Sequence, residues 1–313
     1  MTSSIPLRSA LVLACFVLSA CQTFRRTDAL VVTSGDWRGE LVGEFDNHEQ
    51  VVQARPAATP QVRFIVTALA QPGWYAWRTQ LRTGTLLEST WLLRAESATD
   101  GGVVLTPHRP LVADAAIDRK FDAAQWIALD ACALRAAASA GPLIAKADAA
   151  SCATVAPGVG VEAALLPLSI EQRGDSMRVR LYADQARAAD ARADARRVQW
   201  FDGWAAINGA GANATAESVD WHMSKDLRVG SEGGRVTLNW RDGKPAGYSL
   251  LLERLSYREG NTPVLKLSLI EDPSQRAVAY AWANPEATRI GINLGWAQIG
   301  LERATGAAVK PAR

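Results

Sequence analysis

Histidine and cysteine are scarce in this 313-residue chain, which has three of the first and four of the second. His48, His108 and His222 stand far apart, with no spacing that gathers a metal's ligands. His48 beside Asp46 and Glu49 reads as an exposed turn histidine before it reads as a cation site. No G-x-S-x-G elbow, Walker loop or dinucleotide fingerprint occurs, and the Gly-rich "INGAGANA" lacks the fingerprint's spacing. Hydrolase and nucleotide-enzyme chemistry therefore lacks a constellation, no catalytic residue is assigned and no cofactor is called for. Charge of one sign is lacking too: 34 Lys and Arg against 32 Asp and Glu give a formal net charge of +2. Scattered, near-neutral charge offers no footprint for nucleic acid.

Long apolar runs are also missing. Ala10 to Leu18 follows the lone Arg8 and is too short for a membrane span. It ends in Leu18-Ser19-Ala20-Cys21, which resembles a bacterial lipobox. The resemblance implies a signal peptide over 1–20, cleavage before Cys21, and a diacylglyceryl thioether and an acylated amine on that residue. Gln22 in place of Asp implies delivery to the outer membrane, facing the periplasm. Acyl chains at about 0.8 kcal/mol per buried CH₂ then make the membrane a partner without a transmembrane helix. The alternative is an ordinary secretory signal with a chance cysteine. With Cys15 in the leader and Cys21 lipidated, Cys132 and Cys152 remain, and in an oxidising compartment they are expected to pair. Two buried free thiols are the other possibility.

Composition divides the mature chain into a lipidated tether (21–36), a first β-rich domain (37–185), an Ala/Arg-rich linker or surface helix (186–197), a second β-rich domain (198–304) and a tail (305–313). In the first domain "QVRFIVTALA", "WYAWRTQLRTG", "STWLLRAE" and "GVVLTP" read as successive strands. The Ala-rich stretch that ends near Cys132 predicts a helix or an irregular excursion. "ADQARAADARADARR" has no apolar stripe, and its alanines and spaced charges favour a solvated helix. In the second domain Val236, Leu238 and Trp240 alternate with polar residues, and Asp242-Gly243 supplies a turn. Gly233-Gly234 predicts another tight connection. A change of face at Gly295 predicts a bulge or bend between Ile290 and Leu301, as in a strand curling around a barrel. The fold class expected is mainly β: an antiparallel calyx-like barrel followed by a second antiparallel β-rich domain.

"GEFDNHEQ", Gly43 to Gln50, resembles the G-x-F-x-N-x-x-Q signature of the CpcT/CpeT family of T-type phycobilin chromophore lyases. Gly43, Phe45, Asn47 and Gln50 fall on its positions. Cys132 with Cys152, and "LLPLSIEQRGDSMRV", also fall where members carry similar features, so the resemblance covers about residues 36 to 185. The family's Pro-Tyr-Arg-Gln-Arg segment has only scattered counterparts here in Tyr75, Arg78 and Gln80. The resemblance implies a calyx-like barrel, a homodimer, and lyase chemistry on a linear tetrapyrrole. From the residues themselves, the stretch is either a site that offers amides and carboxylates to a ligand or a capped turn at a helix start.

Eleven tryptophans complete the picture. They suggest either an aromatic-lined pocket or large side chains filling barrel interiors. Trp200 and Trp204 sit four apart on one expected strand face. The expected function is a periplasm-facing lipoprotein whose calyx binds a small hydrophobic or tetrapyrrole-like ligand. The ligand-binding candidates are Phe45, Asn47, Gln50, Trp77, Arg78, Trp200 and Trp204. An envelope interaction module without ligand and bilin-lyase activity are the alternatives.

Overall fold

Val62, Phe64 and Val66 are buried while Gln61, Arg63 and Ile65 between them are only half so, the period of two of a strand with one covered face. The computed structural model of the chain describes residues 37–53, 60–83, 85–111, 117, 121–138, 141–156, 161–186, 192–257 and 262–305. The leader, Cys21 and the tether up to residue 36 lie outside them. So does the tail from 306.

The strands β1 (Gly43–Asp46), β2 (Gln61–Ala68), β3 (Trp74–Thr83), β4 (Thr85–Ser97) and β5 (Val103–Pro110) pair in sequence, all antiparallel. β6 (Trp126–Ala128) pairs with the end of β5, and β7 (Leu134–Ala136) takes the next place in the ring. β8 (Leu143–Lys146), β9 (Pro167–Arg173), β10 (Ser176–Leu181) and β11 (Ala193–Arg197) follow. β11 then pairs back onto β1, with Phe45 opposite Arg197 and Asp46 opposite Arg196. Ten strands thus close an antiparallel barrel, so the ring itself has no open edge, and the three-residue β6 is appended to β5 outside it.

The closing strand corrects the expectation of a linker or surface helix over 186–197. Ala193 and Ala195 face the interior, and Asp194 and Arg196 face out. Two small inward residues carry almost no apolar signal, so pairing with β1 and β10 decides the conformation where propensity favours helix. The Ala-rich stretch before Cys132 takes the irregular course: 3₁₀ turns at Ala123–Gln125 and Asp130–Cys132 flank the three-residue β6. Trp126 and Phe121 there cover the outward side chains Trp74, Ala76 and Leu92.

Inside the barrel Phe45, Phe64, Trp77, Trp91 and Met177 are buried in one cluster. Helix α1 (Trp37–Leu41) covers one end through Leu41, with Trp37 6.4 Å from Tyr75. At the other end lie α3 (Ala149–Cys152) and the 3₁₀ turn Val161–Leu165. Cys132 and Cys152 are joined there by a disulfide, as expected, and both are buried.

The second unit repeats the meander. β12 (Trp200–Asn208), β13 (Trp221–Gly230), β18 (Arg289–Asn293) and β19 (Ala297–Arg303) form one four-stranded sheet, ordered β13-β12-β19-β18. β14 (Glu232–Asn239), β15 (Pro245–Leu255), β16 (Val264–Glu271) and β17 (Arg276–Ala283) form another in sequence order. Phe201, Leu227, Leu250, Leu267 and Ile299 from both sheets share a single core. The change of face at Gly295 is a hairpin between two strands and not a bulge or bend within one: Leu294 donates its N–H to the Ala297 carbonyl, and the turn restarts the parity. Gly233-Gly234 is likewise not the connection. Ser231 alone links β13 to β14, and the glycines lie at a register shift inside β14.

Candidate functional site

The motif residues sit where β1 meets β2 on one side and β11 on the other. Phe45 is fully buried, and the Arg197 guanidinium lies 4.6 Å from its ring centroid. Arg197 also donates from Nη1 to the Val42 carbonyl at 2.6 Å and from Nη2 to the Glu40 carbonyl, tying α1 to the barrel end. Gly43 adopts φ +146°, and a Cβ there would run into Arg197 Nη1. Asn47 is buried. Its Oδ1 accepts the Val62 N–H at 2.7 Å, and its Nδ2 donates to the Pro60 carbonyl at 3.1 Å and to Gln50 Oε1 at 3.0 Å. Gln50 in turn accepts the Asp194 N–H and donates to the Arg192 carbonyl, both at 3.0 Å. The two amides therefore satisfy backbone groups on both neighbours of β1. Each such group left buried without a partner would cost about 1–3 kcal/mol. Helix α2 (His48–Gln53) starts here, but Asn47 caps the incoming strand with its side chain and not its own helix. The motif is the seam of the barrel.

Trp77 lines the barrel interior, its Nε1 donating to Thr79 Oγ1 at 3.0 Å and its ring 5.4 Å from Phe64. Trp91 is its cross-strand partner. Trp91 Nε1 and Ser89 Oγ are buried and find no hydrogen-bond partner among the described residues. Arg78 points away from that interior and pairs with Glu88 at 3.2 Å. The candidates Phe45 and Trp77 are thus core residues, and Arg78 lies on the opposite face of the same wall.

Trp200 belongs to the joint between the two units. It hydrogen-bonds the Glu44 carboxylate, and Arg228 lies 5.1 Å from its ring. Burial pushes the Glu44 carboxyl above the ordinary carboxylate range, against the pull of Arg63 and of the Trp200 hydrogen bond. Glu44, His48 and Glu49, three of the positions between the motif residues, fasten the second unit. Arg196 bridges Glu49 at 2.7 Å and Glu232 at 2.9 Å, and Arg254 meets Glu232 from the other side at 2.9 Å. His48 Nε2 lies 3.0 Å from Glu253 Oε1, and its ring covers Gly233, whose φ is +71°. Glu49 accepts the Ser256 N–H at 2.6 Å, and Gln53 donates to the Ser256 carbonyl at 2.8 Å. Glu232 is fully buried, and that burial pushes its carboxyl up although two guanidinium groups pull it down.

Trp204 is the candidate aromatic that opens to solvent, at 40% exposure. On β12, Phe201, Ala205 and Ile207 enter the core, so by the strand's period Asp202 and Trp204 face out. Opposite Trp204 the register with β13 shifts, and Asp226 there takes φ +56°. Across the sheet Trp204 faces Gly300 of β19, and Gly300 faces Gly291 of β18. A Cβ on Gly300 would sit 3.1 Å from the indole Nε1 and 3.2 Å from Cε2, so the ring rests against the bare Cα. Gly291 continues that row without a side chain. The adjoining row is charged and already paired: Arg228 with Asp202 at 3.1 Å, and Arg289 with Glu302 at 3.1 Å. Met223, Lys225 and Asp226 form the β13 flank of an open groove of about 860 Å³. A half-exposed aromatic ring among convergent polar groups suits a ring-shaped ligand with a polar edge.

The structure does not gather the sequence candidates in one place. Phe45 and Trp77 fill the first barrel, Asn47 and Gln50 hold its seam, Arg78 lies on its outer wall, Trp200 is at the joint, and Trp204 floors the groove. Gly291, Gly300, Arg289 and Glu302 were not foreseen. Their available signal was a lone glycine inside each of "RIGIN" and "AQIGLER", a pattern that marks close approach to a backbone. Compared with family models, curated proteins and solved structures, the chain matches none.

Proposed function

We propose that this chain is a lipid-anchored, periplasm-facing binding protein of the outer membrane that takes its ligand on the outer face of the second β unit, at Trp204. The observation that carries this is the half-exposed indole seated on Gly300 in a groove rimmed by side chains of both charges. The lipobox-like Leu18-Ser19-Ala20-Cys21 and the Cys132–Cys152 disulfide support the envelope location. The first barrel serves as the platform: its interior holds its own aromatic side chains, and its motif residues serve the seam. Bilin-lyase activity, implied by the family resemblance, would have to act without those seam residues.

An alternative keeps a small hydrophobic or tetrapyrrole-like ligand inside the first barrel. The specific observation in its favour is that Trp91 Nε1 and Ser89 Oγ, buried on the interior wall, have no hydrogen-bond partner among the described residues. Such groups otherwise bind ordered water.

Thermal-shift screening with saccharides, haem, bilins and fatty acids separates the two. Ligands that stabilise the wild type but not Trp204→Ala support the groove. Stabilisation by haem or a bilin that survives Trp204→Ala and disappears in Trp91→Phe transfers the function to the barrel.

A further inference from the structure

We infer that the Trp204 groove binds a saccharide, specifically a β-linked chain of pyranose rings whose substituents are equatorial. This rests on the assignment of the ligand site to Trp204 and names the ligand's chemical class. The charges of the groove select first. Of the charged residues that line it, Arg289 is paired with Glu302, Arg303 with Glu286 at 3.3 Å and Asp202 with Arg228 behind it, and Lys225 stands beside Asp226. A rim with its charges compensated in this way has no net pull on an anion or a cation. It does present acceptors and donors side by side, which hydroxyl groups use in both directions. A wholly apolar guest would cover those groups without replacing their hydrogen bonds with water, at a cost of a few kcal/mol. A polyol replaces them.

The floor selects next. With Gly300 beneath it, the indole is held by its cross-strand neighbour and keeps its other face for solvent. A pyranose with equatorial substituents has faces made of axial C–H bonds and an edge made of hydroxyls. The C–H face packs on the indole, and the edge meets Asp202, Glu302, Arg289 and Lys225. Gly291, next in the row, leaves the neighbouring surface clear of side chains, so a second ring can lie beside the first. The groove is open and extends past both rows, which suits an internal stretch of a chain. Gln298 and Asn293, exposed register partners in the row beyond, add amide groups of the same mixed character.

Isothermal titration of the full mature chain with cellotetraose and with chitotetraose tests this. The first is plain and the second N-acetylated, so the pair also distinguishes a simple glucan from an amino-sugar glycan of the cell-wall type. The expected result is saturable binding of at least one of them, weakened about tenfold or more by Trp204→Ala. Trp204→Phe, which keeps a smaller aromatic face, should fall between the two. Gly300→Val leaves the indole in the chain but removes its seat, and should weaken binding as Trp204→Ala does. Trp282→Ala, at an indole 48% exposed on the other sheet, should leave binding unchanged and is the control. Failure of both tetrasaccharides, or binding that Trp204→Ala does not weaken, overturns the assignment. If some other ligand class then stabilises the wild type and not Trp204→Ala, the saccharide identity falls and the Trp204 site stands. If nothing responds to Trp204, both fall.

Discussion

Arg197 and Phe45 face each other across the seam of the first barrel as register partners, with the guanidinium 4.6 Å from the ring centroid. The last residue of the closing strand therefore sits on the buried aromatic of the first strand. Its Nη1 and Nη2 donate to the carbonyls of Val42 and Glu40 and its Nε to Asp175, so one side chain braces the closed ring and holds α1 over its end. A cation–π contact of this kind contributes about 0.5–2 kcal/mol, more as it is desolvated.

Gly43 is required by that arrangement. Gly43→Ala places a Cβ against Arg197 Nη1 and forces an L side chain to φ +146°. The expected loss is about 1–3 kcal/mol, read from the urea midpoint at unchanged slope. In an Arg197→Ala background the collision disappears and only the backbone strain remains, so the same substitution should cost less. Equal costs in the two backgrounds would mean that the collision is not what the glycine avoids.

The joint makes a larger claim. Arg254, whose side chain is 6% exposed, relies on Glu232, and Arg196 shares the same carboxylate. Glu232→Ala leaves these guanidinium groups without it and should cost about 3–5 kcal/mol. Replacing all three by apolar residues (Arg196→Met, Glu232→Leu, Arg254→Met) should recover most of that loss, because the penalty comes from unpaired charge and not from lost volume. Chemical denaturation of the single and triple variants measures both.

Much of the second unit was legible because its strands, β12 with β19 excepted, pair neighbours in sequence and alternate cleanly. Val236 and Leu238 are examples, and the Asp242-Gly243 turn forms where expected, with Gly243 at φ +84°. The Cys132–Cys152 bond followed from the cysteine count and the expected compartment. The closing strand Ala193–Arg197 was not legible, because its inward residues are two alanines and its identity comes from partners far away in sequence. Asn47 and Gln50 were legible as capping side chains but not in the groups they cap, for a related reason. They do cap backbone groups, but Gln50 caps the Arg192 carbonyl, 142 residues downstream, and short-range capping rules do not reach that far. The groove was half legible: Trp204 was named from the strand pattern, while its glycine seat depends on the β12–β19–β18 register, which periodicity does not contain.

Glu44 carries a pH signature. Its carboxyl titrates above the ordinary 4.5 because it is buried, so the folded state holds that proton more tightly than the unfolded chain does. The corresponding stability is complete below 4.5 and is lost as pH rises through the raised value. Glu44→Gln keeps an acceptor for Trp200 and cannot titrate. Its stability relative to the wild type should therefore climb with pH across that window and level off above it. A flat difference from acid to neutral pH counts against the burial of Glu44 at the joint.

The disulfide closes a 20-residue separation between two buried cysteines. In the chain-entropy account, opening it should lower stability by about 3 kcal/mol. Paired denaturation curves of the wild type and a Cys132→Ala/Cys152→Ala variant measure the loss. A difference near zero would mean that the unfolded chain gains little freedom without the bond.

The most direct measurement is a titration followed by the indole N–H resonances of the protein labelled at tryptophan, using the tetrasaccharide that binds. The resonance assigned by Trp204→Phe should move progressively and saturably while those of Trp77 and Trp91 stay fixed. Shifts confined to Trp77 and Trp91, with Trp204 unmoved, would contradict recognition on the outer sheet face and place the ligand in the barrel.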